Sequence, residues 1–307
     1  MHILIIGNSN IFKRKIYQAL LSFKSFKIEL ASKRKVKDNY NLFKIYHSYT
    51  EALKKTNAKI IYISLVNSKH FQWTKKALEA NKHVIVDKPL TLSFKNSKKL
   101  IDLAKKKNLL IQEATVFYLH NQFRTLFKKI NFNKKIYINT FFHIPRLKKN
   151  NFRNNINLGG GCFNDMSTYA SYIISFFLKR NKKDKIEIKR RQLIRNNLSE
   201  NFVINAKTIN INYKGSFKFN STYKNFLIIK NGNFIYKVKY IFSPPIDKNL
   251  IVEIINNSSK KKIIETVKNV NVFKIFFNKF NNTLKCKNYN MNYNKLLLTE
   301  HIRNEIR

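Results

Sequence analysis

The chain has 307 residues, 44% hydrophobic and 14% aromatic, enough for two domains with substantial cores. It lacks an uncharged apolar run of about 18 residues, which excludes a helical membrane span, and its two cysteines, Cys162 and Cys286, make neither a disulfide framework nor a metal cluster. The formal charge of +45 invites a nucleic-acid partner, but the lysines are spread along the whole chain among abundant Asn, Ile, Phe and Tyr, as an A/T-rich coding bias would produce. The basic stretch 179–191 then reads as solvated surface, and no specific nucleic-acid site is expected.

"MHILIIGNSN" reads as a buried strand entering a loop, without the basic start of a signal peptide, so a cytoplasmic location is expected. Ile11, Ile16, Leu20 and Phe23 then follow at helical spacing. "FKIELAS" is a strand, and "YTEALKKTN" a short helix opened by Thr50. "AKIIYISLV", "HVIVDKP" and "LLIQEATVF" are further strands, separated by helices in "SKHFQWTKKALEANK" and "SFKNSKKLIDLAKKKN". This alternation predicts an α/β fold with a doubly wound parallel sheet, which binds ligands at the carboxyl ends of its strands.

The first strand-to-helix turn, Gly7 to Phe12, is where a dinucleotide pyrophosphate would sit. It keeps only the first glycine of G-x-G-x-x-G. Gly7 permits the tight turn, Ser9 is small enough for close backbone approach, and Phe12 should push the helix away from the sheet. The second strand ends in Ser32, Lys33 and Arg34, a cluster that suits a ribose 2′-phosphate and so favours NADP(H), with NAD(H) the alternative.

Three of the six glycines stand together in "LGGGCFNDMSTYASY", residues 158–172. If Cys162 onward is helical, Asp165, Tyr169 and Tyr172 share one face, and the glycines allow a sharp turn and close approach. A tyrosine of ordinary pKa, about 10, transfers a proton more easily near neutrality when an ammonium favours its phenolate. Lys88, just past a strand and before Pro89, is the candidate ammonium. Beyond residue 120 strands dominate, from "KKIYINTFFHIP" through "KIEIKRRQLI", "NAKTININ", "GSFKFNSTY" and "NFLIIKNGNFIYKVKYIF" to "LIVEIIN", and "YNKLLLTEHIRNEIR" closes as a helix.

The stretch 68–91, "SKHFQWTKKALEANKHVIVDKPLT", resembles the hallmark of the Gfo/Idh/MocA oxidoreductases, H…AL-x-aGKHV-x-x-EKPla. His70, Ala77, Leu78, Lys82, His83, Val84, Lys88, Pro89 and Leu90 stand in place. Asn81 replaces the glycine, Asp87 the glutamate, and Val66 stands where a proline is usual. "QEATVFYLHNQF" is similar to the family's EAFMYRFHPQF, with Tyr118 and Asn121 for its arginine and proline, and residues 151–172 resemble NFR…LGGGALLDLGxY/H. Tyrosine at position 169 is typical of the NDP-hexose 3-ketoreductases, glucose-fructose oxidoreductases and dihydrodiol or xylose dehydrogenases.

The resemblance implies a Rossmann domain over 1–118 and a substrate-binding, oligomerising α+β domain over 119–307. The second would carry a large, mostly antiparallel open sheet, with a last helix, 292–307, able to pack back on the first. It implies hydride transfer between NADP(H) and a sugar carbonyl or hydroxyl carbon, with nucleotide-sugar ketoreduction first. Free-sugar or trans-dihydrodiol dehydrogenation, or a non-catalytic relative acting in binding or assembly, are the alternatives. Lys88 and Tyr169 would carry proton transfer, with Asp165 orienting the substrate or Lys88. Gly7, Ser9, Asn10, Ile11, Ser32, Lys33, Arg34, Leu65, His70, Asp87, Lys88 and Glu113 would meet the cofactor. His120, Arg153, Asp165 and Tyr169 would meet the substrate, Arg153 at a phosphate. A homo-dimer or tetramer without metal is expected.

Overall fold

A computed structural model of the chain describes residues 2–23, 26–36, 40–178 and 185–307; part of the basic stretch, 179–184, lies outside them. Its contacts divide the chain into two units: Met1–Ala114 with Phe273–Leu298, and Thr115–Val272 with Thr299–Arg307. The expected fold class is observed, one parallel sheet and one mostly antiparallel.

The first unit is built on β1 (His2–Ile6), β2 (Lys27–Ala31), β3 (Lys44–Tyr46), β4 (Ile60–Ile63), β5 (His83–Val86) and β6 (Ile111–Glu113). All pair in parallel in the order β3-β2-β1-β4-β5-β6. A parallel sheet covered on both faces needs apolar strands without alternation, and Ile3, Leu4, Ile5, Ile6, Ile61, Tyr62 and Ile63 are all fully buried.

Helices α1 (Tyr17–Leu21), α2 (Tyr49–Lys55), α3 (His70–Glu79) and α4 (Phe94–Lys106) connect the strands. The opener of α2 is Ser48 rather than Thr50: its extended backbone (φ −124°) lets Oγ accept from Glu51 N. Phe12 is accommodated by a π-helical turn, Phe12–Ile16, ahead of α1. The wider turn leaves the ring fully buried, with Tyr17 and Tyr40 at centroid distances of 5.8 and 5.6 Å.

The other two departures keep the backbone their positions require. Asn81 adopts φ +57°, the left-handed conformation that asparagine tolerates best after glycine. Val66 sits at φ −70°, within the range of the proline it replaces.

The second unit carries β7 (Ile136–His143), β8 (Glu187–Arg195), β9 (Leu198–Lys207), β10 (Ile211–Lys218), β11 (Lys224–Asn231), β12 (Phe234–Lys239), β13 (Leu250–Asn256) and β14 (Lys262–Val267). The order is β14-β13-β12-β11-β7-β10-β9-β8, and only β7 and β10 run parallel. "NAKTININ" is not one strand: β9 ends at Lys207, Thr208 N donates to Ile211 O across a turn, and β10 begins. Helix α5 (Asn121–Lys129) packs on β13 and β14, and α6 (Cys162–Phe177) on β9 and β10. Phe163 of α6 meets Phe202, which stacks on Phe217 at 4.7 Å.

Two helices follow, α7 (Val272–Cys286) and α8 (Asn290–Ile306). Phe276, Phe277 and Phe280 of α7 are buried, and Tyr293 of α8 donates to Leu109 O at 2.8 Å. None of the described helices is long and apolar enough to cross a membrane.

Candidate active site

Parallel strands deliver their carboxyl ends to one edge of the first unit's sheet. Gly7 leaves β1 at φ +109°, where a Cβ would collide with the carbonyl oxygen of Ser64. Only glycine lets the two chain segments approach so closely. Ser9 Oγ accepts from Phe12 N at 3.1 Å and bonds Ser64 Oγ at 2.7 Å. Asn10 and Ile11 are exposed on the same turn.

At the end of β2, Ser32 Oγ accepts from Arg34 N and donates to Arg34 O, closing a tight turn that leaves Lys33 and Arg34 exposed. Lys33 Nζ lies 5.6 Å from the centre of the Tyr49 ring. Two solvent-facing cations on a fixed turn, beside a backbone stripped of side chain at Gly7, fit the phosphates of a dinucleotide.

Beyond β5, the Asp87 carboxylate accepts from Tyr62 and Ser64 hydroxyls, each at 2.7 Å. Burial raises its pKa; the two hydroxyls, His70 and Lys88 pull the other way. The Lys88 to Leu90 loop is braced on both sides. His70 Nδ1 bonds Pro89 O at 2.7 Å and Nε2 bonds Leu65 O at 3.0 Å, while Leu90 N donates to Glu113 Oε2 at 2.6 Å. His70 is fully buried and Glu113 nearly so. Burial lowers the His70 pKa, although both carbonyl oxygens favour its charged form. The structure therefore places these two as supports of the lysine loop. Lys88 itself is half-buried.

In the second unit the glycine run folds back on the segment before it: Gly160 N donates to Asn155 O and Gly161 N to Arg153 O. A Cβ on Gly160 would collide with those same carbonyl oxygens. The consequence is a pair that spacing did not announce, with Arg153 Nε 2.9 Å from Asp165 Oδ2. The Asp165 side chain is 7% exposed and that of Arg153 29%. The helix does begin at Cys162, so Asp165, Tyr169 and Tyr172 share a face. The half-buried Tyr169 ring lies among Phe117, Phe142 and Phe242, at centroid distances of 4.9 to 5.8 Å. Tyr172 is buried and stacked on Tyr118.

His120 caps α5: Nδ1 accepts from Gln122 N at 3.1 Å, which puts the proton of the neutral ring on Nε2. That Nε2 is buried without a hydrogen-bond partner in the structure, and burial lowers the ring's pKa. A buried donor left open in this way suits an oxygen-rich ligand. Sequence reasoning missed Tyr62, Ser64 and Tyr49. Tyr62 on β4 and Ser64 just past its end stand two residues apart, and a polar pair at that spacing in an otherwise apolar run was the available signal.

Residues 1–115 match the model of the Gfo/Idh/MocA oxidoreductase family, NAD-binding Rossmann fold, and form a domain of that family. A dTDP-3,4-didehydro-2,6-dideoxy-alpha-D-glucose 3-reductase of Saccharopolyspora spinosa is 32% identical over 133 residues, 42% of this chain and 40% of that protein. A trans-1,2-dihydrobenzene-1,2-diol dehydrogenase of Xenopus laevis is 24% identical over 155 residues, 48% of this chain and 45% of the relative. The matched stretches thus span less than half of these relatives. Among solved structures, KijD10, a 3-ketoreductase from Actinomadura kijaniata in complex with NADP and TDP-benzene, superposes with a TM-score of 0.88 at 19% identity, covering 98% of this chain and 94% of the other. That likeness establishes the shared fold.

Proposed function

We propose that the chain is an NADP(H)-dependent oxidoreductase acting on a sugar carbonyl or hydroxyl carbon, specifically a nucleotide-sugar ketoreductase. The observation that carries the reading is the braced loop at the end of β5, where His70 and Glu113 hold Lys88 at the ligand edge of a Gfo/Idh/MocA domain. The 3-ketoreductases among the matched proteins, one of them crystallised with NADP and TDP-benzene, support the same substrate class.

Bound NADPH supplies the reducing equivalent to the carbonyl carbon. The rest is work for this chain's side chains. Lys33 and Arg34 take the 2′-phosphate, and Gly7 admits the pyrophosphate to the backbone. Tyr169 gives its phenolic proton to the oxygen that becomes alkoxide, a transfer that positioned side chains accelerate by about 10²–10⁴-fold. The Lys88 ammonium stabilises the phenolate left behind. Asp165, held by Arg153, fixes the first turn of α6 and orients sugar hydroxyls, and the open Nε2–H of His120 adds a donor. A cytoplasmic homo-dimer or tetramer belongs to the same reading.

Fluorescence titration with NADPH and NADH tests it. Binding with NADPH preferred is expected, and replacing Lys33 and Arg34 by alanine should weaken NADPH by about tenfold or more, since charge-assisted phosphate contacts are lost, while NADH is little affected. Failure to bind either nucleotide would favour the non-catalytic relative.

A further inference from the structure

The end of β5 holds more hydrogen-bonding capacity than a supporting carboxylate needs. Both oxygens of Asp87 are engaged, Oδ1 by the Tyr62 hydroxyl and Oδ2 by that of Ser64. A carboxylate only accepts, so Ser64 spends its single proton on Asp87. Ser64 Oγ must then accept from Ser9 Oγ, 2.7 Å away. Ser9 Oγ in turn accepts from the backbone N–H of Phe12. The direction of the whole chain is fixed: Phe12 N–H to Ser9, Ser9 to Ser64, Ser64 to Asp87, with Tyr62 closing the other oxygen.

We propose that Ser9, Ser64 and Tyr62 form a hydroxyl relay that locks the Asp87 carboxylate in one orientation beside Lys88, so that Tyr62 and Ser64 are positioning residues of the lysine loop. The inference rests on the functional reading above for what the loop does, but not for the relay itself. Two short bonds to a charged acceptor are each stronger than a neutral pair, and the fully buried Tyr62 has no water to compete for its hydroxyl. Burial also raises the Tyr62 pKa well above its ordinary value, so the phenol stays a donor.

The relay gives Ser9 a task that a second glycine could not perform. Its proton is committed to Ser64, so Ser9 ties the first turn to Asp87 and does not donate to a phosphate. The groups acting on Asp87 are Tyr62 and Ser64 at β4, His70 of α3, and neighbouring Lys88. Removing a hydroxyl withdraws a bond made to the charged form while burial, which opposes that form, stays. Asp87 then takes a proton at higher pH, and Lys88 loses the negative charge next to it.

The test uses the full chain without nucleotide, labelled with carboxyl-¹³C aspartate. Six aspartates are present, and Asp87→Asn assigns the signal. In Tyr62→Phe and Ser64→Ala the Asp87 titration midpoint should rise by about one unit each, the effect of one hydrogen bond to a charged carboxylate. Ser9→Gly should move it in the same direction by less, and decides the matter if Tyr62→Phe does not fold. An unchanged Asp87 midpoint in folded Ser64→Ala and Ser9→Gly overturns the relay. In turnover, the acid limb of the kcat/KM profile should move up with the same shift. Shifted midpoints with no turnover by the parent would sink the functional reading and leave the relay standing; turnover with unshifted midpoints does the reverse.

Discussion

Replacing Arg153 by methionine removes the guanidinium from Asp165 and keeps most of the aliphatic stem. Two unit charges about 4 Å apart at an effective dielectric of about 20 attract by about 4 kcal/mol. Water reaches Arg153, whose side chain is 29% exposed, so part of that attraction is already offset by hydration. Asp165 at 7% exposure has no such relief. The net loss should fall below the 3–5 kcal/mol typical of breaking a fully buried pair, at about 2 kcal/mol. The chain's one tryptophan, Trp73, belongs to the first unit and the pair to the second, so a readout local to α6 is preferable to its fluorescence. Hydrogen exchange on the α6 peptide is such a readout: about 2 kcal/mol corresponds to a loss of protection of about 30-fold. Asp165→Asn on the same background removes the buried charge and should restore about half of the loss. Protection in Arg153→Met within twofold of the parent would refute the assignment of the glycine turn to this pair.

Asn81→Gly should leave stability within about 0.5 kcal/mol, whereas Asn81→Ala forces an ordinary L-residue to φ +57° and should cost about 1 kcal/mol; urea unfolding followed by Trp73 fluorescence measures both. His143, on β7, has its pKa lowered from 6.5 to about 4, by burial first and by Lys218 and Lys224 on the paired strands second. The native ring stays neutral while the unfolded one takes a proton, so its contribution is complete above about pH 6.5 and is lost as pH falls towards 4. Thermal unfolding should show that slope, and His143→Gln should flatten it; an identical slope in the variant would refute the assignment.

The parallel sheet was legible because its buried strands are unbroken apolar runs and its helices carry regular spacing. The stretch 158–172 was legible as far as the helix at Cys162, since glycines and a shared face at i, i+4 and i+7 are local facts. What lay beyond reach was pairing. Nothing in the spacing says that Arg153 meets Asp165, that Glu113 holds the Leu90 amide, or that Ser9 reaches Ser64, because the first depends on how the glycine run folds back and the other two on which strand ends become neighbours. Helix α7 went unread because its Asn and Phe content gives weak helix propensity, which the burial of Phe276, Phe277 and Phe280 overrides. The short β3 and the exposed β14 carried too little pattern to stand out. At Phe12 a bulky residue in a tight turn was resolved by widening the helix to a π turn, a backbone change that side-chain size alone does not dictate.

The most direct test of the account is the rate of NADPH oxidation with a dTDP-linked keto-sugar, comparing the parent with Tyr169→Phe at saturating nucleotide. The parent should turn over measurably and the variant at least about tenfold more slowly, as expected for a lost proton donor, with NADPH affinity nearly unchanged. Equal rates in the two proteins would contradict it.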